Sequence, residues 1–456
     1  MSEDYSAFLA RKALTDPPTG LADIPELPDV LFPHQRDIVR WALRRGRAAI
    51  FAQTGLGKSL MELAWGQGIH HATGGDVLLL TPLAVAGQMV REAGKFGLAA
   101  KQCACQAEVE PGITVTNYAK MHHFDLSRFT GVILDESSIL KAFDGKTRSM
   151  LIARCARVPY RLAATATPAP NDFMELGNHA EFLGVMSLSG MQATFFTHDG
   201  GDTSKWRLKG YAEDDFWRWM CSWSVLLRRP SDLGYDDGAY ALPELGTIEH
   251  LVDVEGPAAK TLSERLKARR ESIAERVAKA VELTPAEGPF VWWCNLNAEA
   301  DALVAAIPGA VQVSGSDKED EKEQKLKAFS AGEIRILVTK PKICGFGMNW
   351  QHCADTGFVG LNDSFEQVYQ AVRRFWRFGQ TRPVTVHFVA ASTEGAVLEN
   401  LKRKEADAER MGAAMVAQMA DLSSDIIHGA ARETDEYKPT IPVAVPFWLA
   451  PEEALC

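Results

Sequence analysis

Residues 47–69 read RAAIFAQTGLGKSLMELAWGQGI, and the fold turns on this stretch. A short apolar run at 48–52 passes through a glycine-containing loop, Thr54 to Gly57, into a helical pattern that begins near Lys58. The order is strand, phosphate loop, helix. Gly55 and Gly57 let backbone N–H groups turn toward an anion, and the helix start adds its positive dipole end. At the head of that helix Lys58 can reach the β- and γ-phosphates of a nucleotide, and Ser59 can ligate Mg2+.

Working outward, FTGVILDESS (129–138) sets Asp135 and Glu136 at the end of an apolar run. In an open parallel sheet, ligands collect at the carboxyl ends of the strands. There Asp135 can hold the Mg2+ shell while Glu136 orients or deprotonates an attacking water. Strand-like segments at 77–81 and 113–117 lie between the two signals. The pattern predicts a nucleotide-hydrolysing α/β domain over 31–185, behind an N-terminal extension at 1–30.

The second half repeats strand and helix signals without a phosphate loop. A helical stretch at 257–282 leads into PFVWWCNLNAEADAL (289–303) and IRILVTK (334–340), and a second α/β domain is expected over 257–425. Within it, QAVRRFWRFGQ (370–380) can be drawn as a helix at 100° per residue. Gln370, Arg374 and Arg377 then share one stripe, opposite Phe365, Val368, Val372 and Phe375. Such a stripe suits a solvated basic face, a nucleic-acid patch or half of an active site. Between the domains, 186–256 reads as a Trp-rich helical insertion, with Trp217, Trp219 and Trp223 either bracing the domains or stacking on bases. A proline-punctuated tail at 426–456 is expected to strap the protein or bind a partner.

Composition narrows the partners. A net charge of -10 excludes binding of nucleic acid by bulk charge, so any such contact must be local. No run approaches a membrane span and the N-terminus lacks a signal layout, so a cytoplasmic location with no membrane partner is expected. The eight cysteines form no CxxC pair, which points to reduced thiols and away from a metal cluster or disulfide framework.

AQTGLGKS, LLLTP, VILDESS and AATATP, in that order, resemble motifs I, Ia, II and III of superfamily 2 helicases and translocases. LFPHQ resembles the Q motif and QAVRRFWRFGQ resembles motif VI; the likeness spans about 31–405. TPAPNDFMELGNHAEFL, LLRRPSDLG and the RxGQ ending are similar to the Swi2/Snf2-like branch, whose short standalone members occur in phages and bacteria. The resemblance implies two RecA-like parallel-sheet domains in tandem, with ATP and Mg2+ held between them, in a monomeric motor of a bacterial or infected-host cytoplasm. It implies that Gln35 reads adenine, that Gly347 and Gln370 help bind the nucleotide, and that Arg374 and Arg377 reach the γ-phosphate from the second domain. It further implies nucleic-acid contacts at Thr81, Pro82, Asn117, Asn297, Thr339, Lys340 and Asn349. Motif II departs from the DEAD and DEAH forms at Ser138, and Arg373 stands where many remodellers carry an acid, so no chromatin role is implied.

The expected activity is ATP-driven translocation on duplex or branched DNA, with single-stranded DNA a further substrate and RNA ranked behind DNA. The alternatives are a strand-separating DNA or RNA helicase and, from another class, a non-catalytic DNA-binding or annealing scaffold.

Overall fold

The computed structural model describes residues 16–82, 85–141, 145–169, 173–199, 202–344, 349–361, 364–395 and 397–428. The first domain is built on β1 (Arg47–Ala52), β2 (Asp76–Thr81), β3 (Ala100–Gln102), β4 (Ile113–Asn117), β5 (Phe129–Asp135) and β6 (Tyr160–Thr165). A hairpin of β7 (Phe196–Asp199) and β8 (Asp202–Leu208) follows, and then β9 (Ser224–Leu227). The second domain carries β10 (Leu245–Val252), β11 (Phe290–Trp293), β12 (Ala310–Gln312), β13 (Ile336–Thr339), β14 (Asp355–Phe358) and β15 (Val384–Ala391).

Strand order is β3-β4-β2-β5-β6-β1-β9 in the first sheet and β10-β15-β14-β11-β13-β12 in the second, and every pairing within the two sheets is parallel. Parallel strands are covered on both faces, which explains their near-continuous apolar runs. Along β1, Ala49 and Phe51 enter one core cluster while Ala48, Ile50 and Ala52 enter the cluster on the other face. In β11, Trp293 and Trp292 divide between the two faces of the second sheet in the same way. The expected α/β architecture of two RecA-like domains in tandem is the observed one.

Two expected boundaries move. β9 pairs with β1, so the chain through Leu227 belongs to the first sheet; β10 pairs with β15, so the second domain starts at Leu245, before 257. Trp217, Trp219 and Trp223, on the helix Glu213–Trp223, are buried with Phe51, Phe195 and Phe216 in the first domain's core, so the stretch assigned to an insertion completes a domain.

The 32-residue helix Val397–His428 leaves the second domain, where Val397 and Leu401 are core residues, and reaches the first domain's core at Met415 and Met419. It ties the two domains along ~48 Å. Most of the expected tail and residues 1–15 lie outside the described residues, as does Gly347. Among the described residues no helix is long and apolar enough to cross a membrane.

Candidate nucleotide site

The phosphate loop leaves the carboxyl end of β1. Its start is pinned by the Gln53 N–H, which donates to the Leu227 carbonyl at 3.0 Å. Gly57 has φ 80°, and a Cβ there would stand 2.3 Å from Gln35 Nε2, so the loop rests directly on that side chain. Lys58 Nζ donates back to the Ala52 carbonyl at 2.8 Å, with Ser59 half-buried beside it in the first turn of the helix Lys58–Thr73.

Gln35 is 1% exposed and braces the loop. Its Nε2 donates to the Leu56 carbonyl at 2.9 Å and to the Tyr240 hydroxyl at 3.2 Å, while its Oε1 accepts from the Phe32 N–H at 3.1 Å. Both amide hydrogens are therefore engaged within the protein, where the resemblance implied an amide that reads adenine. The Tyr240 ring lies tilted at 4.8 Å from Phe378 and edge-on at 5.5 Å from Phe32, an aromatic cluster drawn from three separate segments that no local motif announced.

Asp135 and Glu136 stand at the end of β5, with only β6 between that strand and β1. Asp135 is buried; burial first, and then the Glu136 charge, push its carboxyl well up, while Lys58 opposes the shift. Glu136 has φ 53°, the only non-glycine positive φ among the described residues. Strained backbone of this kind concentrates at functional sites. Its Oε2 accepts from Thr165 Oγ1 at 3.4 Å, linking it to the end of β6.

Sequence reasoning missed Glu62, one helical turn beyond Lys58. It is fully buried, neither carboxylate oxygen has a hydrogen-bond partner among the protein groups, and burial followed by the Asp135 charge raises its pKa well above the usual range. The signal was an acid inside LMELAW, on a helix that is buried on most sides.

From the second domain, the helix Phe365–Val372 stops earlier than the drawn stripe required. Residues 373–377 continue as turns because their carbonyls are claimed elsewhere. Trp350 N donates to the Arg374 carbonyl at 2.9 Å, and Gln380 Nε2 donates to the Phe375 carbonyl at 3.3 Å. Phe375 turns into the core, as its place in the pattern implied.

Arg374 is 3% exposed, its guanidinium held by Gln370: Nη2 donates to Oε1 at 3.0 Å and Nε to the backbone carbonyl at 2.9 Å. Burial and the nearby Arg377 lower its pKa, and the charges of Glu136 and Asp135 across the cleft support its protonated form. The domains meet at the loop itself. A Cβ at Gly55 would lie 3.1 Å from Phe378 N and 3.7 Å from the Arg377 Cβ, so glycine permits the approach. Ion pairs Lys141–Glu366 and Arg91–Glu323 (3.2 Å) bridge the same cleft.

The residues expected on nucleic acid divide into two groups. Thr81 Oγ1 donates to the Pro82 carbonyl at 2.9 Å, Thr339 Oγ1 donates to the Val313 carbonyl at 3.0 Å, and Asn117 caps a short helix by accepting from Lys120 N at 3.0 Å. All three are buried. Asn297 and Asn349 are exposed, and Lys340 Nζ donates to Asn297 Oδ1 at 2.6 Å.

The residues present fit a nucleotide and a divalent cation. Thr54 Oγ1 is buried without a partner in the loop, and the Glu62 oxygens are orphaned beneath it. Among the described residues no three His, Cys, Asp or Glu side chains form a metal site by themselves. Mg2+ keeps several waters and needs only one or two carboxylates beside substrate phosphates, so Ser59 and Asp135 suffice.

No family model matches the chain, and no curated protein matches it. Among solved structures it is similar to a fragment of a putative HsdR subunit of a type I restriction enzyme from Vibrio vulnificus, at 16% identity and TM-score 0.50, covering 81% of this chain and 64% of that one. The likeness is one of fold. A second similar structure, the Sulfolobus solfataricus SWI2/SNF2 ATPase core in complex with dsDNA, has 16% identity and TM-score 0.42 over 90% of this chain and 97% of that one. The helix start carrying Lys58 and the strand end carrying Asp135 and Glu136 lie on the side of the cleft that meets the turn carrying Arg374 and Arg377.

Proposed function

We propose that the protein is an ATP-hydrolysing nucleic-acid motor, a DNA translocase that moves along duplex or branched DNA. The observation that carries this reading is the contact of the Gly55 loop with Phe378 and Arg377, which brings two incomplete half-sites together.

Lys58 and the loop N–H groups bind the triphosphate, and Ser59 and Asp135 hold Mg2+, which when bound neutralises phosphate charge. Glu136 orients the attacking water and accepts its proton. Arg374, fixed by Gln370, and Arg377 stabilise negative charge on the transferring phosphoryl group, so hydrolysis requires a closed cleft. The cycle of closing and opening is then the source of movement. Asn297, Lys340 and Asn349, with backbone groups near Thr81 and Pro82, grip phosphates without reading sequence, as a motor on any sequence requires. Local contacts of this kind are compatible with the acidic net charge.

The test compares ATP turnover without nucleic acid and with single-stranded DNA, duplex DNA, forked DNA and RNA, together with displacement of a triplex strand. Stimulation by duplex or forked DNA and triplex displacement, without unwinding of tailed duplexes, supports the proposal. Unwinding of tailed duplexes would make the protein a strand-separating helicase, and absence of turnover under every condition would make it a scaffold.

A further inference from the structure

We infer that Arg373 is a positioning residue, and that with Gln53 it forms a strut across the cleft joining the phosphate loop to the arginine-bearing turn before nucleotide arrives. Arg373 lies outside the stripe of Gln370, Arg374 and Arg377, yet it is only 5% exposed. Its Nη2 lies 2.8 Å from the Gln53 amide oxygen, in the amide orientation that also lets the Gln53 nitrogen donate to the Arg228 carbonyl at 2.9 Å.

Both ends of the strut are held in advance. On the first domain, Gln53 is anchored by that side-chain bond to Arg228 and by its own N–H on the Leu227 carbonyl at 3.0 Å, leaving its oxygen as the group offered to the second domain. On the second domain, the Arg373 guanidinium lies over the Trp376 ring at 4.3 Å and the Tyr369 ring at 5.0 Å. Trp376 is fixed in turn, its Nε1 donating to the Pro243 carbonyl at 2.6 Å. Two pre-oriented groups lose little conformational freedom on meeting, and a hydrogen bond with one charged member is stronger than a neutral one.

The position of the strut gives it a consequence. Gln53 immediately precedes Thr54 and Gly55, and Arg373 immediately precedes Arg374. Joining them fixes the register between the loop that would cradle phosphate and the arginine that would meet it. The amide serves both contacts at once, its nitrogen donating to the Arg228 carbonyl and its oxygen accepting from Arg373, whereas a carboxylate would lose the first bond and set an oxygen against that carbonyl. Alongside the contact lies a cavity of about 1070 Å3, lined by Gln53, Thr54, Tyr240, Arg373 and Phe378 among others, so the strut acts beside open volume and not within a packed core.

The catalytic consequence rests on the function proposed above, whereas the strut itself is tested without nucleotide. Fluorophores on genetically encoded bioorthogonal residues at exposed positions 95 and 267, one on each domain, report the closed-to-open ratio of the full chain by single-molecule energy transfer. Gln53→Met and Arg373→Met are each expected to lower that ratio about tenfold, the scale of one charge-assisted hydrogen bond. The double variant should fall no further than either single one. Gln53→Met leaves the Arg373 packing on Trp376 and Tyr369 untouched, so it carries the test even if Arg373→Met fails to fold. An unchanged ratio in Gln53→Met, or a double variant that loses the sum of the two single effects, would overturn the strut. Either result is independent of whether the protein turns over ATP.

Discussion

Gln370 grips Arg374 twice, through its side-chain oxygen at 3.0 Å and its backbone carbonyl at 2.9 Å, and so aims a buried guanidinium that the end of the helix would otherwise release. The glutamine thus positions the arginine. Arg374→Ala is expected to cut ATP turnover by ~10³-fold or more, in line with other arginines that complete such sites. Gln370→Leu keeps the arginine but loses its side-chain brace, and a smaller fall of roughly 10-fold in kcat is expected, consistent with the loss of one hydrogen bond to a charged group. Fluorescent-nucleotide titration should show affinity changing only a few-fold in both variants. If Gln370→Leu matched Arg374→Ala in turnover, Gln370 would have a role beyond aiming.

Glu62 gives a pH-dependent prediction. Its folded carboxyl holds a proton more tightly than the unfolded one, whose pKa is about 4.5. The stability contributed by the protonated form is full below that unfolded pKa and is lost as pH rises toward the raised folded value. Glu62→Gln keeps the shape and removes the ionisation. In metal-free buffer it should melt about 2 °C or more above wild type near pH 8, with the difference shrinking toward pH 4. Thermal melts at several pH values check this, and a difference that stayed constant or grew on acidification would exclude a buried, proton-holding Glu62.

Arg276 tests what holds the second domain together. It is fully buried and pairs with Glu299 at 2.9 Å and with Glu394 at 3.4 Å, while Arg269 reaches Glu394 at 3.2 Å. Arg276→Met would leave the buried Glu299 carboxylate without its ion pair and Glu394 with Arg269 alone, and should cost about 3–5 kcal/mol in urea unfolding. Replacing Arg269, Arg276, Glu299 and Glu394 together by apolar residues should cost much less, since no member of the network is then left as a lone charge. Equal losses in the two variants would show that packing volume, and not charge pairing, supports these helices.

The sequence was most legible where chemistry is local. The strand, loop and helix at 47–69 form one continuous unit, and Asp135 and Glu136 close a strand whose apolar run is visible residue by residue. Legibility failed where distant segments compete. The regular stripe of Arg374 and Arg377 breaks because Trp350 and Gln380, neither in the helix, take its carbonyls. Gln35 is committed to Tyr240, 205 residues away, so its donors are spent in a way no local pattern encodes. Thr81 and Thr339 end core strands, and each hydroxyl is satisfied by a backbone carbonyl. The domain boundaries moved because β9 and β10 are defined by their partners in the sheets, and strand pairing is invisible to periodicity.

Phosphate release in the presence of duplex DNA by wild type, Lys58→Ala and Arg377→Ala tests whether one nucleotide site is completed by groups from both domains. Wild type should turn over ATP, Lys58→Ala should show none above background, and Arg377→Ala should fall by ~10³-fold while still binding nucleotide and DNA. An Arg377→Ala protein with wild-type turnover would contradict the account, because hydrolysis would then need only the first domain.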